Sequence, residues 1–395
     1  MDQARIAVFR DESVTCAVSS NSRVGRNNMT TRREMLALGA AAIAVSATRR
    51  LFADVPRARH PLDILILGGT GFLGPHQVEY ALARGHKVTL FNRGHKDATL
   101  FGDRVEVLIG DRDTKTAPGL SALEGTRGWD AVIDNSGYVP RHVRDAAQLL
   151  KGRVRRYLFV STVAAYEGAG SVCLETSPLL PLSNPENEQV NARSYGELKA
   201  EGDRIVREVH GSGATVVRPT YVIGPGDETD RFTYWAARTA EGGTVVGPRA
   251  DATSLQTVDV RDLCPWMVTL LERDLPGIFN AAARPMPWDG VLNALRPLSE
   301  GAVRFVRPPA RIIEELKLDF PLVQPTTSGG LMANERTSFD GSKAVHAGLS
   351  YRPLAQSGRA TLDWWRAQTP ERRAAAKHWP TSDQEKALLD AMSRA

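Results

Sequence analysis

Tyr195 and Lys199 form the pair of side chains in this sequence that is best suited to acid–base chemistry. The segment Tyr195–His210 has the pattern of a helix, so a spacing of four residues places a phenol and an ammonium group on one face. A nearby cation favours the phenolate and lowers a phenol pKa that starts at about 10. Such a tyrosine can remove or donate a proton near neutral pH. Thr162 follows a predicted strand and could hold a substrate hydroxyl or carbonyl group by a hydrogen bond.

These residue types are ordinary when they are taken separately. A tyrosine and a lysine at this spacing also occur on solvated helices, and a threonine at a strand end often bonds only local backbone. The prediction of a catalytic group therefore depends on the elements that would bring the three side chains together beside a ligand.

A glycine-rich turn follows the first predicted strand. The run Asp63–Leu67 is short and apolar, as in a strand that is buried on both faces of a parallel sheet. Glycines then recur at the spacing of a turn beneath a dinucleotide. They let the backbone approach phosphates closely, and the helix that follows directs its positive end at the anion. We therefore predict a pyrophosphate site formed by Gly68, Thr70, Gly71, Phe72, Leu73 and Gly74.

Strands and helices alternate along much of the chain. Further strands are predicted at residues 87–91, 104–109, 129–134, 156–160 and 215–218, with helices at 141–150 and 195–210. This alternation predicts an α/β fold with a Rossmann-like, doubly wound parallel sheet, whose ligand lies outside the carboxyl ends of the strands. Asp111, Asn135 and Thr162 all fall at such ends.

The domain boundaries follow from where this alternation is regular. We predict an NAD(P)-binding domain over residues 62–223, with its sheet completed by residues 258–282. A smaller substrate-binding lobe is expected from residues 224–257 and 283–350, and a helical segment from residues 351–395. Within that segment Ser382 and Glu385 have the spacing of a capping box.

The N-terminal region has the pattern of a targeting signal. Arg32 and Arg33 precede a modest apolar run that ends in small residues, which resembles a bacterial twin-arginine export signal over residues 29–53. Residues 1–28 would then be an upstream extension, and the protein would be periplasmic. If the signal is not used, the segment is an amphipathic helix and the protein is cytoplasmic. The apolar run is too short and too weakly apolar to span a membrane.

Composition excludes several other classes of protein. The formal net charge of +5 over 395 residues is small, so no nucleic-acid partner is expected. The cysteines, Cys16, Cys173 and Cys264, have no metal-ligand spacing, so no metal site is predicted.

The sequence resembles the extended short-chain dehydrogenase/reductases, which include nucleotide-sugar epimerases and dehydratases, over about residues 62–365. The resemblance is carried by residues 68–74, 110–111, 159–166, Tyr195 and Lys199, with weaker support from residues 218–225, 258–262 and 340–343. It implies that Thr162, four residues before Tyr166, is catalytic with Tyr195, and that Lys199 also binds nicotinamide ribose hydroxyls. It further implies a cofactor site in which Asp111 lies near the adenine and residues 135–137 lie beside the ribose, with Asp111, Arg112, Asn135, Ser136 and Gly137 among its contacts.

The end of the second strand departs from the pattern of NAD-preferring relatives. Those proteins carry an acidic residue that bonds the ribose 2′-hydroxyl, whereas this chain has Asn92 followed by Arg93. An uncharged side chain removes repulsion toward a 2′-phosphate, and a guanidinium group can bind that phosphate bidentately. NADP is therefore the expected cofactor and NAD the alternative, in which Arg93 is only a solvated loop residue.

A second departure concerns the substrate. Similar nucleotide-sugar epimerases have an arginine before the strand at Val258 that holds a diphosphate, and residues 254–257 here contain none. Arg231 or Arg336 could substitute for it, but a sugar-like or aromatic compound is also consistent with the sequence. The candidate substrate contacts are Tyr138, Tyr166, Arg231, Phe232 and Trp235, although each aromatic residue could equally be part of the core.

Two classes of function are consistent with these residues. The first is an NAD(P)-dependent oxidoreductase or redox-neutral epimerase/dehydratase, and export would favour the redox-neutral cycle because no NADPH pool exists outside the cytoplasm. The second is a non-catalytic NADP-binding regulator or RNA- or protein-binding relative. Members that abandon catalysis often lose the tyrosine or lysine, and both are present here. A homodimer through the helix at residues 195–210 would follow the family pattern.

Overall fold

The computed structural model describes residues 52, 54–95, 100–167, 172–250, 254–316, 337–377 and 379–394. Arg32, Arg33, Arg336 and the predicted upstream extension lie outside the described residues. The described strands are β1 Asp63–Leu67, β2 Lys87–Asn92, β3 Glu106–Ile109, β4 Trp129–Asp134, β5 Val154–Val160, β6 Val172–Cys173, β7 Ala214–Pro219, β8 Tyr221–Ile223, β9 Gly243–Val246, β10 Ser254–Leu255, β11 Thr257–Asp259, β12 Gly277–Ala281, β13 Met286–Pro287, β14 Val303–Val306 and β15 Ser338–Phe339. The described α-helices are α1 Gly74–Arg84, α2 Pro140–Leu150, α3 Tyr195–His210, α4 Arg231–Glu241, α5 Val260–Glu272, α6 Trp288–Leu295, α7 Ala310–Glu315, α8 Ser342–His346, α9 Leu354–Arg366, α10 Pro370–Ala374 and α11 Ser382–Arg394.

Seven parallel strands form the central sheet, in the order β12-β7-β5-β4-β1-β2-β3. The chain runs outward from β1 to β3 and then returns to β4 on the other side of β1. This reversal opens a crevice at the carboxyl ends of β1 and β4, where ligands of open α/β sheets bind. The predicted doubly wound Rossmann-like fold is therefore confirmed.

Both faces of the sheet are buried, as the apolar strands predict. On one face Ile64 and Ile66 of β1 pack toward α1 and α5, through residues such as Val78 and Met267. On the other face Leu65 and Leu67 pack toward α2 and α3. Because successive strand residues point to opposite faces, a strand covered on both sides reads as a continuous apolar run.

Element boundaries follow local capping. Helix α3 and strand β4 begin and end at the predicted residues. The third strand begins at Glu106 and not at residue 104, because a 3₁₀ turn occupies Gly102–Arg104. Helix α5 begins at Val260, since the Asp259 carboxylate accepts a hydrogen bond from the Arg261 N–H at 2.8 Å and caps it.

The C-terminal segment packs on the predicted smaller lobe of residues 224–257 and 283–350, the second lobe. Helices α4, α6 and α9 form an aromatic core that includes Trp235, Trp288 and Trp365. The predicted capping box at Ser382 is wrong by one residue: the Oγ1 atom of Thr381 accepts from the Gln384 N–H at 3.2 Å, and Gln384 Oε1 accepts from the Thr381 N–H at 2.8 Å. Glu385 pairs instead with Arg238, at 2.9 Å.

Candidate active site

The glycine-rich turn between β1 and α1 has the shape of a phosphate cradle. Gly68 has φ +85°, which favours glycine, and a Cβ on Gly74 would lie 2.1 Å from the Gly69 carbonyl oxygen. A Cβ on Gly71 would meet only the Gly68 oxygen, at 3.8 Å, so this position borders open space. Helix α1 has no side-chain cap and no acidic residue in its first turn. Its N-terminal N–H groups and positive dipole end therefore fit the pyrophosphate of a dinucleotide.

The other predicted cofactor residues line the same edge of the sheet. Asn92 ends β2, and its side-chain oxygen accepts from the Gly94 N–H at 2.9 Å, while Arg93 is exposed. Asp111 is half-buried and accepts from the Asp113 N–H at 2.9 Å. Asn135 follows β4, and its N–H donates to the Leu67 carbonyl at 3.1 Å, which joins the two strand ends. These placements surround the crevice between β1 and β4.

Asn135 is held by a helix rather than left open to a ligand. Its amide and that of Gln77 on α1 exchange two hydrogen bonds, at 3.0 and 2.6 Å. This pair ties the turn after β4 to the start of α1 and so fixes the width of the crevice.

Arg112 has a structural role that the sequence does not indicate. Its guanidinium group is buried and donates to the Asp134 carboxylate at 2.5 and 3.0 Å, and also to Ser136 Oγ at 3.2 Å. Tyr157 donates a further hydrogen bond to Asp134, at 2.8 Å. Burial alone would raise the pKa of Asp134, but the charge and hydrogen bonds of Arg112 hold that pKa below its usual value. These partners occupy its guanidinium group, and the cofactor contact predicted for Arg112 stays a prediction.

Thr162, Tyr195 and Lys199 meet at the carboxyl end of β5. The Thr162 side chain lies near enough to the Tyr195 hydroxyl to lower its pKa, and Thr162 Oγ1 accepts from the Ala164 N–H at 3.1 Å. Lys199 lies one turn further along α3 and is buried, with its ammonium group 4.3 Å from the Phe159 ring centroid. The structure therefore brings the three side chains together beside the predicted dinucleotide site.

The expected lowering of the tyrosine pKa is not observed. The Lys199 ammonium donates to the carbonyls of Gly137 and Val160, at 2.8 and 2.5 Å, instead of to the phenol. Burial of the Tyr195 hydroxyl raises its pKa to about 12, against which the Thr162 hydrogen bond and the charge of Arg231 act in the opposite direction. Burial likewise lowers the pKa of Lys199 to about 7, although the charge of Asp134 opposes this shift.

The depressed lysine pKa predicts a specific dependence of stability on pH. Between the folded pKa of about 7 and the usual 10.5, the unfolded chain binds the Lys199 proton and the folded chain does not. Stability therefore rises with pH in that window. We expect the free energy of unfolding of the parent protein, relative to Lys199→Met, to increase by up to about 4 kcal/mol between pH 7 and pH 10. Denaturant titrations across that range measure the difference.

The control is Lys151→Met, since Lys151 is exposed at the end of α2. Its stability difference from the parent protein should stay flat over the same pH range. A flat profile for Lys199→Met as well would show that the buried lysine keeps an ordinary pKa.

The candidate substrate residues divide into two groups. Tyr138 is exposed, with its ring centroid 6.4 Å from that of Tyr195, and the charge of Arg231 reaches the Tyr195 phenol. Phe232 and Trp235, by contrast, are fully buried in the aromatic core of the second lobe. Their side chains point away from the catalytic group because α4 buries its apolar face.

The Tyr166 side chain bonds and packs against residues other than Thr162, Tyr195 and Lys199. Its hydroxyl donates to Asn280 Oδ1 at 2.6 Å and accepts from Arg218 at 2.8 Å, and its ring stacks on Phe339. It thereby supports the turn that carries Thr162.

Three residues near the site have no counterpart among the sequence predictions: His76, Tyr221 and Asp227. The His76 Nε2 atom contacts the Pro225 carbonyl oxygen at 3.0 Å, so α1 touches the loop of residues 224–231. Asp227 and Tyr221 are buried beside Arg231. The available signal was the glycine- and proline-rich sequence at residues 224–227, which marks a loop but gives no indication of its neighbours.

A separate cavity of about 720 Å³ lies in the C-terminal half. Its lining includes Leu255, Phe339 and Leu354, and none of Thr162, Tyr195 and Lys199 borders it. The chemistry is therefore assigned to the carboxyl end of β5 and not to this cavity. Among the described residues no group of three or more His, Cys, Asp or Glu side chains could hold a metal ion, and none of the described helices is both long and apolar enough to cross a membrane.

A parallel sheet with a glycine-rich turn after β1 and a threonine–tyrosine–lysine group at β5 defines a dinucleotide-binding fold. The chain belongs to the NAD dependent epimerase/dehydratase family, a family of enzymes whose model matches residues 64–282. The predicted resemblance to epimerases and dehydratases is thus confirmed, whereas the twin-arginine signal stays a prediction.

Two curated relatives illustrate the range of similar proteins. The chain is 25% identical to the chloroplast stem-loop binding protein of 41 kDa b from Arabidopsis thaliana, over 58% of this chain and 61% of that protein. It is 30% identical to sterol demethylase protein B of Methylococcus capsulatus, over 42% of this chain and 53% of the relative. The chain therefore spans roughly half to three-fifths of the length of these relatives.

Solved structures show the same fold. The UDP-glucuronic acid 4-epimerase of Bacillus cereus in complex with NAD superposes with a TM-score of 0.57 at 17% identity, covering 79% of this chain and 99% of that one. The Bordetella bronchiseptica enzyme WbmG in complex with NAD gives a TM-score of 0.56 at 16% identity, over 82% and 99% of the two chains.

Proposed function

We propose that this protein is an NAD(P)-dependent oxidoreductase or redox-neutral epimerase/dehydratase that acts on a hydroxyl or carbonyl group of a sugar-like or aromatic small molecule. The observation that carries the proposal is the position of Thr162 beside the Tyr195 hydroxyl, one helical turn from the buried Lys199 and beside the cradle of α1. When bound, the dinucleotide supplies a carbon that accepts or donates hydride.

The side chains have distinct roles in this proposal. Thr162 holds the reacting oxygen of the substrate by a hydrogen bond, and the Tyr195 hydroxyl gives a proton to that oxygen or takes one from it. Lys199 donates to the carbonyls of Gly137 and Val160, which joins the ends of β4 and β5 around the reacting group. Replacing Tyr195 by phenylalanine removes the proton carrier and tests the proposal directly.

The preferred cofactor is proposed to be NADP, on the basis of Asn92 and the exposed Arg93 at the end of β2. Asn92→Asp places a carboxylate where it can bond a ribose 2′-hydroxyl and repel a 2′-phosphate. The ratio of the NADP to the NAD dissociation constant should rise by roughly tenfold or more, which is about 1.4 kcal/mol. Arg93→Ala should weaken NADP alone. Titration of both dinucleotides measures the ratio, and a parent protein that prefers NAD would contradict this assignment.

Export to the periplasm is proposed on the basis of Arg32 and Arg33. An exported enzyme cannot draw on a replenished cofactor pool, so a cycle that regenerates its own dinucleotide in each turnover is favoured. The test is to purify the protein and assay for co-purifying dinucleotide after extensive dialysis. Cofactor that washes out freely would exclude the redox-neutral version.

A non-catalytic role is the second candidate, because the Arabidopsis relative is a stem-loop binding protein. In that case the protein would bind RNA or a partner protein and use the dinucleotide only as a regulator. The Tyr195→Phe substitution distinguishes the enzymatic role from the binding role. Biological activity that survives this substitution, with dinucleotide binding intact, would favour the binding role.

A further inference from the structure

The loop of residues 224–231 is held rigidly beside the catalytic group. At one end His76 on α1 contacts the Pro225 carbonyl oxygen. At the other end Asp230, fully buried and in the left-handed region at φ 59°, accepts from Arg372 at 3.0 and 2.5 Å, and the Trp379 indole donates to its carbonyl at 3.0 Å. A loop fixed at both ends presents its side chains in a defined geometry, which is what a binding site requires.

Two buried polar atoms beside this loop have no hydrogen-bond partner among the described residues. One is Oδ2 of Asp227, whose other carboxylate oxygen accepts from the N–H and hydroxyl of Thr229 at 2.9 and 2.7 Å. The second is the hydroxyl of Tyr221. The two residues are only 2% and 6% exposed. Because an unsatisfied buried polar group is costly, such groups in a native fold call for a specific explanation such as a ligand.

Arg231 joins these two residues to the catalytic tyrosine. Its guanidinium lies 4.5 Å from the centroid of the Tyr221 ring, and its Nε donates to Thr229 at 3.0 Å. The charge of Arg231 acts on Asp227, Tyr221 and also Tyr195, so Arg231 lies within electrostatic range of all three side chains. Burial raises the pKa of Asp227, which is the response of a carboxyl group that lacks full solvation or pairing.

The donors and acceptors of this cluster select one class of ligand. A carboxylate oxygen needs an O–H or N–H donor, a phenol can both donate and accept, and the terminal guanidinium N–H groups of Arg231 need acceptors. Neighbouring hydroxyls on one ring supply both functions. The carboxylate of Asp227 offsets the charge of Arg231, and it would repel a diphosphate placed against it.

We propose that Asp227, Tyr221 and Arg231 form a subsite for a neutral, polyhydroxylated ring, such as an unphosphorylated sugar or cyclitol, held with its reacting carbon against Tyr195. This inference rests on the proposed function, whose substrate class it narrows. Asp227 accepts one ring hydroxyl, Tyr221 bonds its neighbour, and Arg231 donates to the ring oxygens. The subsite determines specificity, while Thr162 and Tyr195 contact the reacting oxygen.

The test uses the full-length protein, loaded with dinucleotide, and three probes: methyl β-glucoside, myo-inositol and UDP-glucose. Binding is measured by calorimetry and reaction by reduced-nicotinamide absorbance. Asp227→Asn keeps the shape and the Thr229 contacts but removes the open acceptor, and Tyr221→Phe removes only the hydroxyl. We expect at least one neutral polyol to bind, Asp227→Asn to weaken it tenfold or more, and Tyr221→Phe to weaken it about threefold. Dinucleotide affinity and melting temperature should stay unchanged.

The control is Asp383→Asn, an exposed carboxylate in the first turn of α11, which should bind the polyol as the parent protein does. The inference is overturned if no neutral polyol binds, or if UDP-glucose binds more tightly and is indifferent to Asp227→Asn. A role of Asp227 in folding alone would lower the melting temperature and leave the affinity unchanged. Tyr195→Phe separates the two proposals: if it abolishes the reaction while Asp227→Asn and Tyr221→Phe bind normally, the proposed function stands and only the subsite fails.

Discussion

Tyr195→Phe is expected to lower turnover by about 10²- to 10⁴-fold, the usual contribution of one general acid–base group. The substitution removes a single oxygen, the one whose pKa Thr162 lowers, and keeps the ring that faces Tyr138. Because the first turn of α1 and the end of β2 are untouched, the dinucleotide should bind within about threefold of the parent protein. Steady-state turnover and dinucleotide titration on the same preparation measure both quantities.

A matched control is Tyr80→Phe on α1, whose ring packs edge-on against Phe52 and is remote from β5. Turnover of this variant should equal that of the parent protein. Equal turnover in Tyr195→Phe would mean that the phenol carries no proton in the reaction, and a loss of dinucleotide binding would mean that the variant has disturbed the crevice.

The ammonium group of Lys199 bonds partners other than Tyr195, in contrast to what the spacing suggests. A spacing of four residues places Tyr195 and Lys199 on one helix face, but it does not determine where the ammonium group points. In the folded chain two carbonyls, at Gly137 and Val160, provide better acceptors than the phenol. These acceptors come from β5 and from the turn after β4, so only the three-dimensional arrangement shows that the lysine joins strand ends.

The fold could be predicted because its signals are local. A strand buried on both faces shows a continuous apolar run, and the turn after Asp63–Leu67 needs glycine at Gly68 and Gly74 for steric reasons that any sequence must satisfy. The proximity of the candidate catalytic side chains could be predicted for a related reason: in a parallel sheet the carboxyl ends of the strands share one edge, so residues that follow strands meet there.

Long-range partners explain what could not be predicted. Arg112 is predicted as a cofactor contact, yet its partner Asp134 belongs to β4, which comes near it only in the folded sheet. Asp230 meets Arg372 across 142 residues. The sequence is equally consistent with Phe232 and Trp235 in a pocket or in the core. In the structure α4 packs against α9, and both side chains are buried in the core. Periodicity identifies an apolar face but not what covers it.

Arg112→Ala should lower the free energy of unfolding by about 3–5 kcal/mol, because it leaves the fully buried Asp134 carboxylate without its charge partner. Asp134 contributes stability above its unfolded pKa, and this contribution is lost as pH falls through the lowered folded pKa. Without Arg112 that pKa rises, so acid unfolding of the variant should begin at higher pH. Denaturant titrations at pH 7 and pH 4 measure both effects.

The same variant distinguishes the structural role of Arg112 from the cofactor contact predicted for it. A guanidinium that only supports Asp134 leaves the dinucleotide affinity of the folded variant within a few-fold of the parent value, whereas a cofactor contact would weaken binding without a large loss of stability. Arg59→Ala is the control, since Arg59 is exposed and its removal should change stability by less than about 0.5 kcal/mol. The double variant Arg112→Met with Asp134→Asn removes both charges together. It should recover most of the lost stability, because the penalty arises from one uncompensated charge and not from the loss of the pair itself.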